Sequence, residues 1–145
     1  MGYTLAQLAA EITNDPKALG YAAPVAAGSL SGLAALINGT YPGVGTVWRT
    51  DVAAAELLGG IVWAEVSGFT AAQWEAVEVM LVPLTVDASN ANVRAFFAGV
   101  FAGKTATIAN LTAIAQRANP SRAEELWGYG TVVSTTDIAH ALGRT

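Results

Sequence analysis

The chain has 145 residues, of which 53% are hydrophobic and only 12% charged; an ordinary globular domain carries about 25% charged residues. A folded chain of this mass exposes roughly 7,000 Å² of surface, so charge is spread at one residue per ~390 Å², which points to surface covered by other protein copies. Seven Lys and Arg, a net charge of −4 and no cysteine argue against phosphate-backbone binding and exclude disulfides, thiolate metal sites and Cys nucleophiles.

Membrane readings fail as well. The richest apolar stretch, residues 52–66, is broken by Glu56, Gly59, Gly60 and Glu65 and falls short of the roughly 20 apolar residues of a span. The start MGYTLAQLAAE has no basic segment of the kind a signal peptide opens with, and Ala6 stands where a myristoylation signal needs Ser or Thr. A soluble chain is expected.

Helix-start signals recur along the sequence. Thr4-Leu5-Ala6-Gln7, Thr70-Ala71-Ala72-Gln73 and Ser121-Arg122-Ala123-Glu124 fit the capping box, in which a hydroxyl and a Glu or Gln side chain satisfy each other's backbone amides. The first helix is expected over 5–13, with Leu5, Leu8 and Ile12 on one stripe, ended by Asn14-Asp15-Pro16. A Gly-, Ala- and Pro-rich loop follows over 19–28. Ser29 or Ser31 then opens a short helix carrying Leu33, Leu36 and Ile37, closed at Asn38-Gly39.

Residues 39–49 form an extended loop or arm in this reading, anchored by Val47 and Trp48. Thr50 is expected to cap the next helix, with Asp51 in its first turn and Gly59-Gly60 ending or bending it. Residues 61–66 fit either a helical continuation or a short extended piece. The spacing of Trp74, Val77 and Leu81 predicts a helix over 71–81, stopped by Pro83; Val93, Phe96, Phe97, Val100 and Phe101 predict one over 90–102. Further helices are expected over 105–118, 122–127 and 135–142, with 129–133 extended between the last two. The outcome is an all-α fold: one domain over 1–145 with about seven short helices.

No constellation for catalysis, metal or cofactor emerges. His140 has only Asp137 on its own helical face, two ligands at most where zinc takes three or four. Glu75 and Glu78 flank an apolar stripe, and Glu124 and Glu125 are accounted for by the capping box and the first helical turn. Gly43-Val44-Gly45 lacks the third glycine of a dinucleotide fingerprint, and no nucleophile-elbow, zinc-protease or Walker pattern occurs. Thr136-Asp137-Ile138-Ala139-His140-Ala141-Leu142-Gly143 looks like the first half of a helix-turn-helix, but no recognition helix follows it. An enzyme is not expected.

Phe96, Phe97 and Phe101 are read as core. Trp48 either covers the core from outside or anchors a neighbouring subunit, since Trp is favoured at interfaces. The interface candidates are Tyr41, Val44, Val47, Trp48, Trp127 and Tyr129.

The order of segments resembles a family of small tailed-bacteriophage proteins. The resemblance rests on the opening Leu5-Ala6-Gln7-Leu8-Ala9-Ala10-Glu11-Ile12-Thr13-Asn14-Asp15-Pro16 with Leu19-Gly20-Tyr21, and on Leu36-Ile37-Asn38 with Arg49-Thr50. It continues in Ser121-Arg122-Ala123-Glu124-Glu125-Leu126-Trp127-Gly128, Gly130-Thr131-Val132-Val133 and Asp137-Ile138-Ala139. It covers nearly the whole chain and carries over no catalytic residue. It implies a virion protein assembled in the host cytoplasm, of which a small helical domain is similar to the head–tail connector (adaptor or neck) subunits. These form rings through heterologous contacts between copies, against portal and tail or neck proteins. An acidic subunit suits a channel wall that must not grip the passing DNA. The other roles it leaves open are a tail-assembly chaperone and another minor capsid or tail protein.

Overall fold

A computed structural model describes residues 2–144. Among them are ten helices and four strands of two or three residues, so the protein is mostly helical but not strictly all-α. The helices are α1 (Leu5–Asn14), α2 (Ala22–Ala26), α3 (Leu30–Ile37), α4 (Ala54–Gly60), α5 (Trp63–Val66), α6 (Ala71–Leu81), α7 (Ala91–Val100), α8 (Thr105–Ala115), α9 (Arg122–Trp127) and α10 (Thr135–Ala141). The strands β1 (Thr46–Trp48) and β4 (Gln116–Ala118) pair with each other, as do β2 (Val52–Ala53) and β3 (Thr85–Val86). The described residues divide into two compact units, one of 2–47 with 118–144 and one of 48–117.

The first unit is built on α1, α2, α3, α9 and α10. Thr4 and Gln7 close the capping box that starts α1, and Asp15 ends it in the left-handed region at φ 40°. The Asp15 carboxylate accepts from the backbone N–H groups of Leu19, Gly20 and Tyr21, bracing the loop that leads into α2. Helix α2 lies inside the stretch expected to be a loop. Its Pro24 sits in the first turn, where a missing N–H costs nothing. Ser29 caps α3. The core gathers Leu8 and Ile12 from α1, Tyr21, Leu33 and Ile37 from α3, Ala123, Val133 and Ile138.

Residues 39–45 are hydrogen-bonded back onto this unit: the Arg122 N–H donates to the Gly39 carbonyl and the Asn119 N–H to that of Gly45. The strand character of 46–48 was hidden because its partner lies at 116–118, where the alanine-rich sequence reads as the end of a helix. Helix α8 therefore stops at Ala115, three residues short of the boundary expected from periodicity.

The second unit holds α4 to α8 and the β2–β3 ribbon, in which Val52 faces Val86 and Ala53 faces Thr85. Thr50 does not cap α4. The helix begins at Ala54, and Glu56 instead reaches back to accept from the Ala53 N–H at 3.0 Å. Residues 52 and 53 are taken by the ribbon, which delays the helix start. Arg49 fastens the entry: it donates to both Glu56 oxygens and, at 3.3 Å, to Asp51, and also to the Ile114 carbonyl.

Helix α6 spans the expected residues and has a complete Thr70–Gln73 capping box. The core packs Val52, Leu57, Ile61, Val66, Val77, Met80, Val86, Phe101 and Leu111. Gly60 lets α4 approach α8 closely: an added Cβ would lie 2.8 Å from Ile114 Cδ1 and 3.1 Å from Leu111 Cδ2, so those side-chain ends would have to shift. Phe97 and Phe101 pack on this core as expected. Phe96 does not; it is 47% exposed, because Phe97 and Val93 take the inward face of α7 and Phe96 falls outside that arc.

Candidate functional site

Three arrangements stand out, and two of them lie in the second unit. The first is a run of exposed apolar side chains at the end of α6. Pro83 cannot continue the helix, and the residues around that stop are left outside: Val79 is 68% exposed, Val82 77% and Leu84 88%. The backbone is nevertheless held, since the Val82 N–H donates to the Glu78 carbonyl and the Leu84 carbonyl accepts from the Ala54 N–H at 3.0 Å. Leu58, one helical turn beyond Ala54, is also exposed. On α6, Glu75 and Glu78 are exposed beside Val79. Trp63 is exposed as well and stacks on Trp74 with ring centroids 5.8 Å apart. Phe69 then links Trp74 to the buried Phe101.

The second is an apolar pocket of about 90 Å³. Val52, Phe97, Ile108 and Leu111 are among its walls, and Trp48 and Arg94 also line it. The Arg94 guanidinium lies over the Trp48 ring, 4.5 Å from its centre, a cation–π contact. Arg94 Nη1 donates to the carbonyls of Ala88 and Ser89 at 2.7 and 2.8 Å.

The third is an ionic chain in the first unit, buried at Arg122 and Glu11 and open to solvent at Glu125. Arg122 donates through Nε and Nη2 to the two oxygens of Glu11, at 2.7 and 2.9 Å, and through Nη1 to Glu125 at 2.7 Å. Tyr21 donates to Glu11, and Tyr41 to Glu125. Hydrogen bonding to Glu11 raises the pKa of Arg122 despite its burial. Burial pushes the Glu125 carboxyl up, but the hydrogen bonds from Tyr41 and Arg122 outweigh it and hold the group below the ordinary carboxylate value. Burial, then the charge of Glu11, raises the pKa of Tyr21. Every member is engaged with another, so the chain's work is to fix α1 against α9.

The interface candidates are dispersed. Tyr41 is tied to Glu125 and half-buried, as are Val44 and Val47. Trp48 is half-buried against the core of the second unit. Trp127 packs on Tyr3, with ring centroids 4.8 Å apart, at the edge of the first core; Tyr129 is half-buried. None of the six is as exposed as Val82 or Leu84, which sequence reasoning passed over. The signal was there: Val82-Pro83-Leu84 puts apolar residues on both sides of a helix-stopping proline, where a turn is ordinarily polar.

His140 lies in the last turn of α10. Among the described residues no three His, Cys, Asp or Glu come together to hold a metal ion, and no helix is long and apolar enough to cross a membrane. Compared with protein-family models, curated proteins and solved structures, the chain matches none.

Proposed function

We propose that the protein is a structural subunit of a tailed-bacteriophage particle: a head–tail connector, adaptor or neck, assembling as a ring between portal and tail and having no enzymatic activity. The observation that carries the assembly role is the row Val79, Val82 and Leu84, with 68%, 77% and 88% of each residue in solvent. Large apolar side chains held out on a fixed backbone, in a chain with few charges, are the raw material of a protein–protein contact. In a ring the contact is heterologous, this face on one copy meeting a different face on the next. The segment 39–49, with Tyr41, Val44, Val47 and Trp48, is in this reading a second contact element, toward portal or tail proteins. The phage assignment is supported by the segment order from Leu5 to Ala139.

Mass spectrometry of purified particles tests the role. The protein is expected in particles at the copy number of a ring; its presence in infected cells but absence from particles would overturn the connector reading in favour of an assembly chaperone.

A further inference from the structure

The exposed row at the end of α6 needs an apolar surface to receive it, and the pocket of the second unit has that character. Its walls are almost wholly apolar, with Val52 and Leu111, both buried, among them. Ala98 on α7 and Thr112 on α8 line the pocket and are themselves exposed, so its mouth opens to solvent between these two helices. Size selects the occupant. An apolar cavity of ~150 Å³ accepts benzene, about 25 Å³ for each carbon, so about 90 Å³ holds about three or four carbons. The Val and Leu side chains of the row have that many, whereas the exposed aromatics Trp63 and Phe96 are too large. Leu84 is the most exposed member of the row. Its backbone is held by the hydrogen bond to Ala54 and by Pro83, so little freedom is lost when it docks.

Charge complements shape. Glu78 is exposed and stands one helical turn before Val82, while Arg94, at the pocket wall, stands one turn before Ala98. Each charge is thus about 6 Å from the apolar feature it flanks, an acid beside the row and a base beside the mouth. Arg94 has no carboxylate partner among the described residues; its Nη1 donates to the Ala88 and Ser89 carbonyls. We infer that Leu84 of one copy seats in the pocket between α7 and α8 of a second copy, with Val82 over the mouth and Glu78 near Arg94. This rests on the reading of the row as an assembly contact and names the face that receives it. Row and pocket are different surfaces of one chain, so every copy offers both and the contact repeats from copy to copy.

Light scattering on the full chain tests the seat. The wild type is expected above the monomer mass. Leu84→Asp spoils the row and Ala98→Glu puts a charge at the mouth; each should give a monomer with an unchanged melting temperature, because both positions are exposed. Mixed in equal amounts, the two variants should form a complex of twice the chain mass, since one keeps its row and the other its pocket. Glu78→Arg should weaken wild-type association about tenfold. A wild type that stays monomeric to ~1 mM, or monomeric variants that remain apart on mixing, would overturn the seat. Ala98→Glu assembling like the wild type while Leu84→Asp is monomeric would overturn the seat and leave the row as a contact with another surface. A wild-type mass that stops at a dimer, with the mixed pair still forming, would uphold the seat and overturn the ring.

Discussion

Arg122 shows how a single side chain can carry one end of a unit. It and Glu11 are each only about one-twentieth exposed, at 5% and 6%, so neither charge can be rehydrated if the other is removed. We expect Arg122→Met to destabilise the first unit by about 3–5 kcal/mol, since it strands Glu11 without its partner. The double variant Glu11→Leu with Arg122→Met should recover much of that loss, because two apolar groups replace two paired charges. Urea denaturation of the three variants measures both. A second residue-scale expectation concerns pH. Tyr3 donates to Asp137 at 2.7 Å, and burial, with that hydrogen bond, pushes the Tyr3 pKa up to about 12. The Tyr3 hydroxyl, followed by Ser134, holds the Asp137 carboxyl below its ordinary value. Tyr3 therefore stabilises fully below the unfolded tyrosine value of ~10 and loses that contribution as pH rises through about 12. Asp137 contributes above the unfolded carboxylate value of ~4 and loses its contribution as pH falls through its lower folded value. Tyr3→Phe should flatten the alkaline limb of the stability profile and shift the acid midpoint upward. Tyr21, also raised by burial, keeps part of the alkaline limb in that variant.

At the level of elements, what could be read in advance was what short-range chemistry decides. The boxes at Thr4 and Thr70 close as their spacing requires, and Ser121 accepts from the Glu124 N–H, because a cap involves residues three apart and nothing distant. Removing one has a local and calculable effect: Thr70→Ala should lower stability by about 1 kcal/mol, read as a shift in the urea midpoint of the 48–117 unit. The strands were illegible for the opposite reason. Val52-Ala53 becomes a strand only by meeting Thr85-Val86, and two residues carry no alternation to detect. Helix α8 is fixed from outside as well. Glu65, from α5, accepts from the Ala106 and Thr107 N–H groups, supplying from a distance the cap that Lys104 lacks. Of the site residues, Trp48 was legible as unusual. Its burial against the core and its cover by Arg94 were not, since Arg94 lies far along the chain in α7. Because the Trp48 ring packs on the core of the second unit, Trp48→Ala is expected to cost about 2 kcal/mol in thermal or urea melts of that unit, which decides between the two readings of this residue in favour of its own core.

For the whole molecule, the sparse charge read from composition is matched by exposed apolar side chains, Val82 and Leu84 foremost among them. Replacing Val82 and Leu84 by Glu should leave the melting temperature unchanged, because both side chains already stand in water. It should also shift the mass seen by light scattering toward that of a monomer; an unchanged mass in an assembling wild type would show that the row is not the contact. The division of the chain into 2–47 with 118–144, around 48–117, has a further consequence for the order of events at the ribosome. Residues 48–117 leave the exit tunnel as a continuous stretch containing all of their own core, whereas Glu11 must wait for a partner 111 positions later. Until Arg122 emerges, α1 has neither its counter-charge nor Ala123, Val133 and Ile138 to pack on. A core drawn from one continuous stretch closes shorter loops than one that joins segments on both sides of it, so the inserted unit is expected to fold ahead of the unit that surrounds it.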